Sequence, residues 1–419
     1  MRTYLKFLIF KSNDIFFHRK NFSVRKKWVD YLKIKNYLRN KFSLLVFFRE
    51  IFFKILSYIY LLPGLILFLL KFRFVCTNPF SIGSYSEELE TILINNRKEN
   101  CKLILLEPES YSANMYMVNA FFKGKFIRVT SDLKCILCLP FTYLNFLKVD
   151  AYQSINKIYF QKQFFYLKEE EKKKIFFNHE ILFKNRLISG KTDCLNFKNI
   201  NKINNSSNKI CFLHIRLEKN LQLRNATFSN FIDSIKYLIS QNFEVYFFNE
   251  SDPKFKFPGF HFFDLKIDVN KKKQLEILMQ SQIYLGQISG PFHLANFLNK
   301  KLIITDLVIF NHLLFAKDCS LITKKYFKNE KIISFKEIFD NNFQCIWDNK
   351  ILYENNIYVQ NNTSDEILAV TKESLEEEKI NSKDILGLLS ENGIKFNYYN
   401  HSILKYLSKY FLEKNNLFI

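Results

Sequence analysis

The 419-residue sequence predicts an α/β chain with two Rossmann-like units behind a basic and apolar N-terminal region. Three observations carry this. Short β-branched and aromatic runs alternate with amphipathic helical stretches from Phe72 onward. That alternation is interrupted once, by the Asn/Ser-rich stretch "NINKINNSSNK". Before Phe72 the pattern is different, moving from a basic segment to an almost uncharged one. Strands that alternate with helices argue for parallel sheets covered by helices on their faces.

The expected division is residues 1–71 as a basic and membrane-associating region, 72–208 as one Rossmann-like unit with its linker, 209–345 as a second, and 346–419 as a helical extension. The stretch "RKNFSVRKKWVDYLKIKNYLRNK" carries one Asp and no Glu. "FSLLVFFREIFFKILSYIYLLPGLILFLLKFRF" follows, and its uncharged part, Ile55 to Leu70, contains Pro63-Gly64. It is short for a span, and it lies too far from the start, without a small-residue cleavage site, for a signal peptide. A membrane-dipping hairpin or interfacial helix pair, a true span and a buried helix are the competing readings. The basic flank points to the anionic cytoplasmic face of an inner membrane.

In the first unit "FRFVCT" reads as a strand, "SYSEELETILINNRK" as a helix with Tyr85, Leu89, Ile92 and Leu93 on one stripe, and "CKLILLE" as a strand. "SANMYMVNAFFKG" and "KFIRVT" continue as helix and strand. Cys135 and Cys138 have CxxC spacing but lie in the apolar run "LKCILCLPF" with no second pair, so the run is expected to be a core strand rather than a zinc or redox site. The eight cysteines, mostly in apolar runs, read as buried thiols.

The second unit opens with the strand "KICFLHIR" and the helix "NATFSNFIDSIKYLISQN", whose stripe is Phe228, Phe231, Ile232, Ile235, Leu238 and Ile239. "FEVYFF" and "FHFFDL" are strands, "NKKKQLEILMQSQ" a helix, "IYLGQ" a strand, "FHLANFLNK" a helix and "KLIITD" a strand. "SDEILAVTKESLEEEK" is expected to be a closing helix with Ser364 as its N-cap.

In a parallel sheet, ligands bind beyond the carboxyl ends of the strands. The turn Gln287–Pro291 sits at such an end. Gly290 is expected to permit a tight turn and close backbone approach, Pro291 suits the first helical position, and the helix start offers free N–H groups to an anion. Ser289 adds a hydroxyl and His293 a ring donor. His214 and Arg216 share a face at the end of "CFLHIR", and Arg224 and Asn225 stand just before the next helix. Arginine presents a planar fork suited to phosphate. Together these residues predict a diphosphate site. Singly, each has a structural reading, such as a core hydrogen bond for His214 or an ion pair for Arg224.

No GxGxxG, GxxxxGK[ST], HExxH or DxD element in a suitable setting is present, so no dinucleotide fingerprint, Walker loop or metal centre is expected. The excess of 62 Lys+Arg over 40 Asp+Glu, a formal charge of +22, admits polyanions. The lysines are spread out and the 48 Phe are abundant everywhere, which speaks against a nucleic-acid platform.

The segments "HIR…RNATFSNFIDSIKYLISQNFEVYFFNE" and "YLGQISGPFHLANFLNKKLIITD" resemble a bacterial family of GT-B glycosyltransferases, in which two Rossmann-like domains face each other across a cleft. The HxR element is similar to that of fucosyltransferase-type enzymes, where such an Arg contacts the donor diphosphate. The SGPxHLA element is similar to heptosyltransferase-type donor domains. The resemblance is clearest over Lys209–Phe339 and weaker over Phe72–Thr130. It implies a metal-independent transferase that takes a nucleotide-diphosphate sugar as substrate, with no cofactor, and a lipid-linked or glycan acceptor in surface-polysaccharide synthesis. A Gly-His pair of the family reads Gly83-Ser84 here, which leaves Gly83 on the acceptor side without its histidine. An inverting enzyme of this type needs a carboxylate base, and Glu109, just beyond "KLILLE", and then Glu87 are the candidates. A non-catalytic basic protein that binds anionic lipid or glycan at the membrane is the alternative.

Overall fold

The computed structural model describes residues 51–77, 82–108, 114, 116–149, 209–217, 222–308, 316–341, 343, 349–376, 382–391, 393 and 404–415. Glu109, the Asn/Ser-rich stretch at 201–208 and the basic segment before residue 51 lie outside them. The chain forms two compact units, Met1–Asn196 and Phe197–Ile419.

In the first unit, strands β1 (Phe72–Cys76), β2 (Lys102–Leu106), β3 (Ile127–Val129) and β4 (Lys148–Val149) form a parallel sheet in the order β3-β2-β1-β4. The helix Ile82–Glu99 connects β1 to β2 and buries Tyr85, Leu89 and Ile92, three members of the predicted stripe. Met117–Phe121 is the described helical part of the next connection. The Cys135–Cys138 run is not a strand: Asp132–Cys138 is a helix that Leu139-Pro140 carries into a 3-10 turn. Its apolar residues fit either period, and a helix buries Cys135 against Leu139, Leu144 and Leu147.

Two short helices, Ile51–Ile59 and Leu61–Leu69, precede β1 and meet at an angle of 65°. The bend falls at Tyr60 rather than at Pro63-Gly64. Pro63 sits in the first turn of the second helix, where its missing N–H removes no intrahelical bond. Gly64 is buried against Leu144 and Leu147.

In the second unit, β5 (Lys209–His214), β6 (Phe243–Asn249), β7 (Phe260–Asp264), β8 (Ile283–Gly286), β9 (Lys301–Leu307) and β10 (Cys319–Thr323) build a six-stranded parallel sheet in the order β10-β9-β8-β5-β6-β7. The first three strands in sequence run outward on one side and the next three on the other. This is the doubly wound order, and the winding reverses between β5 and β8. β8 is wholly buried, and Phe212, Phe248 and Tyr284 stack across the sheet at 5.5 and 6.0 Å. The helix after β5 begins as a 3-10 turn, Phe228–Phe231, and continues as Ile232–Ser240, burying Phe231, Ile235 and Leu238 of its predicted stripe.

β11 (Lys325–Lys328), β12 (Lys331–Ile332) and β13 (Ile357–Gln360) form a small antiparallel sheet. The closing helix, Ser364–Leu375, packs on this unit: Ser364 Oγ donates to Asp233 at 2.6 Å, and Lys301 Nζ reaches the Ser374 carbonyl at 2.8 Å. Its N-cap is Thr363, one residue before the expected Ser364. Thr363 forms a reciprocal capping box with Glu366, which satisfies two orphan N–H groups where Ser364 satisfies none.

Candidate functional site

The reversal of winding between β5 and β8 opens a crevice at their carboxyl ends, and segments far apart in sequence converge there. His214 is the last residue of β5 and pairs in register with Gly286, the last of β8. The strand stops at His214, so Arg216 lies in the loop beyond rather than on the strand as predicted. Its backbone N–H donates to Gln287 Oε1 at 2.7 Å. The Arg224 guanidinium donates to the Ile288 carbonyl at 2.6 Å. These bonds tie the loop after β5 to the turn after β8.

The glycine on which this approach depends is Gly286, not Gly290. Gly286 has φ +144°, and a Cβ there would lie 1.8 Å from the His214 carbonyl oxygen. Gly290 is the first residue of the helix Gly290–Phe297 and Pro291 the second, one place later than predicted. Ser289 is the N-cap in an extended conformation, with its buried hydroxyl 3.5 Å from the Tyr284 hydroxyl. Tyr284 itself donates to the Gln287 carbonyl at 2.7 Å, holding the turn from below. His293 stands in the first turn of that helix, its ring 5.3 Å from that of Phe292.

Electrostatics here favour an anion. Burial, with Arg216 and Arg224 adding to it, lowers the His214 pKa to about 3, so the imidazole is neutral at physiological pH. Its Nδ1 is buried without a hydrogen-bond partner. A neutral ring beside two guanidinium groups and a helix start can donate to, or accept from, a ligand without adding charge of its own.

A buried polar network next to the crevice escaped the sequence reading. At the end of β9, Asp306 adopts φ +51° and exchanges two bonds with Asn362: its N–H donates to Asn362 Oδ1 at 2.6 Å, and its Oδ1 accepts the Asn362 N–H at 2.9 Å. Asn362 also donates to the Thr323 carbonyl at 2.7 Å. Lys324, just past β10 and 3 % exposed, donates through Nζ to the Asn225 carbonyl and to Asn361 Oδ1. Burial raises the Asp306 pKa to about 6 and lowers that of Lys324 to about 8, each partly opposed by the other's charge. Asn225 therefore serves through its backbone, fixing the loop that carries Arg224. Lys324 also lines a small pocket of about 60 Å³ with Leu223, Tyr353, Tyr358 and Asn361. The only sequence signal was a charged residue directly after each of two apolar runs, "LIIT" and "SLIT".

In the first unit, Gly83 and Glu87 both fall within the helix Ile82–Glu99, near its start. The carboxylate that β2 delivers at its end is Glu107, fully buried and bound by Arg128 at 2.6 Å. That bonding makes it a structural anchor. Among the described residues, no group of three or more His, Cys, Asp and Glu is placed to hold a metal ion.

No protein-family model matches the chain, and no curated protein matches it. One solved structure with which it aligns is the ADP-heptose lipopolysaccharide heptosyltransferase II of E. coli, at 10 % identity and a TM-score of 0.38, over 73 % of this chain and all of that one. A likeness of that strength carries no weight for fold or function, which rest on the strand order and the residues at the β5–β8 crevice.

Proposed function

We propose that the chain is a GT-B-type glycosyltransferase that moves a sugar from a nucleotide-diphosphate donor to a lipid-linked or glycan acceptor, in cell-surface polysaccharide synthesis at the cytoplasmic side of a membrane. The observation that carries the reading is one of position. His214, Arg216 and Arg224 come from one segment and Ser289, Gly290 and Pro291 from another some seventy residues on, yet both sets lie at the winding reversal of one parallel sheet. As the glycosidic bond to the donor breaks, negative charge grows on the departing nucleoside diphosphate. The guanidinium groups of Arg216 and Arg224 stabilise that charge, and so do the N–H groups at the start of the Gly290–Phe297 helix. Ser289 and the neutral ring of His214 add hydrogen bonds, and His293 stands in the first turn of the same helix. Glu109, with Glu87 second, is the carboxylate proposed to take the acceptor proton, and Gly83 belongs to the acceptor side. The nucleotide sugar is substrate, and no further cofactor or metal is invoked.

The experiment is a binding panel of UDP, GDP, CDP and ADP on the full-length protein, first by thermal shift and then by calorimetry. One of them should stabilise the fold at millimolar concentration. Arg216→Ala should then lower its affinity by about one to two decades, and Arg216→Lys by less. The Arg216 contact to Gln287 is made by the backbone, and circular dichroism of the variant checks that the fold is kept. A protein stabilised by none of the four, or equal affinity in Arg216→Ala, ends this reading and leaves the non-catalytic membrane-surface alternative.

A further inference from the structure

The helices Ile51–Ile59 and Leu61–Leu69 are apolar on two opposite sides. One side is core: Phe53, Leu56, Leu67 and Phe68 pack with Phe74, Leu144 and Leu147, and Gly64 lets Leu144 approach. The other is a stripe at helical spacing, Phe52, Ile55, Ile59, Leu62, Ile66 and Leu69, whose residues are 52 to 78 % exposed. A water-facing helix keeps polar residues on its outer side. Between residues 51 and 70 the sole charge is Lys54. A continuous outward apolar stripe of this kind marks an interaction surface.

Charge and length identify the occupant. The segment Arg19–Lys41 that leads into the pair has nine Arg and Lys against one Asp, and Lys71 and Arg73 follow the pair. Basic residues that precede and follow an apolar stretch in the sequence match anionic lipid headgroups. Each helix has nine residues, about 13 Å of rise, and the 65° bend shortens the pair further, whereas the hydrocarbon core is about 30 Å thick. No single helix among the described residues is long and apolar enough to cross a membrane. From Leu69 the chain passes within three residues into β1, flanked by β2 and β4.

We propose that the helix pair is a monotopic anchor, lying in the plane of an anionic bilayer with the Phe52–Leu69 stripe in the outer acyl region and the opposite side in the core of its own unit. This inference stands apart from the transferase reading, and its test uses no nucleotide.

Full-length protein purified in detergent is diluted into phosphatidylcholine vesicles with and without phosphatidylglycerol, and flotation is measured. Flotation should be stronger with phosphatidylglycerol. The combined variant Phe52→Gln, Ile59→Gln, Leu62→Gln, Leu69→Gln should weaken it by about tenfold or more. These side chains face outward, so its circular dichroism should match the wild type. Leu62→Trp, read against the wild-type Trp background, should be quenched most by lipids brominated near the headgroup. Quenching greatest at the bilayer centre means a span and overturns the proposal. So does an absence of flotation or of any Leu62→Trp quenching, as expected if residues 1–50 or a second copy of the chain cover the stripe. Flotation unchanged in the combined variant overturns it as well, and equal flotation on phosphatidylcholine alone overturns the anionic surface.

Discussion

The two parallel sheets share the start of one winding scheme and differ in what surrounds it. Both place their first strand inside, with the second and third strands to one side and the fourth to the other. In the second sheet two more strands follow, so β8 and β5 are buried along nearly their whole length. In the first, among the described residues, β4 has two residues and edges the sheet, with the apolar helix pair and the Leu139–Tyr143 turn packed nearby. The second sheet thus has a deep reversal point that can hold buried polar groups around a charged ligand. The first has a shallow one, with an apolar outer surface. The difference separates two kinds of binding: directional recognition where the backbone is locked, and non-directional burial where it is not.

The glycines of the two units give the largest test. A Cβ on Gly286 would meet backbone, the His214 carbonyl at 1.8 Å, at φ +144°. One on Gly64 would meet the tip of a flexible side chain, Leu144 Cδ1 at 2.6 Å. Gly286→Ala should destabilise the second unit by about 4 kcal/mol or more. Gly64→Ala, where Leu144 can change rotamer, should cost about 1–2 kcal/mol. Urea unfolding followed by circular dichroism compares the two. Equal costs would mean that the β5–β8 contact is no more rigid than the packing under the helix pair.

The next test concerns the buried charges at the strand ends of the second sheet, Asp306 and Lys324, which among the described residues have no direct ion pair like that of Glu107 with Arg128 in the first. Lys324→Met removes the donor to Asn225 and Asn361 and leaves Asp306 buried without a cation beside it. A loss of about 3 kcal/mol is expected. Lys324→Met with Asp306→Asn should recover part of it, because the remaining groups are then neutral. A double variant no better than the single one would show that the two charges do not support each other. Loosening Asn225 should also weaken nucleoside diphosphate binding through Arg224, without any change to a residue at the crevice itself.

What was legible in the sequence follows from period and polarity. The alternation of strands and helices was readable because each run is short, one-sided and bounded by a polar turn, whereas the order of the strands in each sheet was not. The convergence of His214, Arg216 and Arg224 with Ser289 was readable because strand ends are where loops meet. The Cys135–Cys138 helix was not, since an apolar run of that length has no period of its own. Gly286 was hidden because its requirement comes from the carbonyl of a strand about seventy residues away, whereas Gly290 has a local reason to be glycine. Asp306 and Lys324 were hidden for the same reason: a single charged residue after an apolar run reads as a strand end, and only the fold shows the two ends meeting at Asn361 and Asn362. Thr363 lost to Ser364 because both can cap, and the Glu366 partner decides between them.

The smallest test asks whether the reversal point is truly dry, and His214 reports on it. Its pKa falls from the ordinary 6.5 to about 3 in the folded chain, by burial first and by Arg216 and Arg224 second. Below pH 6.5 the unfolded chain binds a proton that the folded chain does not accept until about pH 3, so stability contributed by the neutral ring is present above the unfolded pKa and is lost as pH falls between those values. The slope from this one group is at most about 1.4 kcal/mol per pH unit. Unfolding of wild type and His214→Asn should therefore give curves that converge as pH falls from about 6 to about 4, with the wild type steeper by close to one proton. A bound nucleoside diphosphate places negative charge beside the ring and should move the lower end of that limb upward, since it favours the protonated form. Parallel curves would mean that His214 titrates in the folded chain as it does in water. The second sheet would then differ from the first in depth but not in polarity, and the preference for an anion would rest on Arg216 and Arg224 alone.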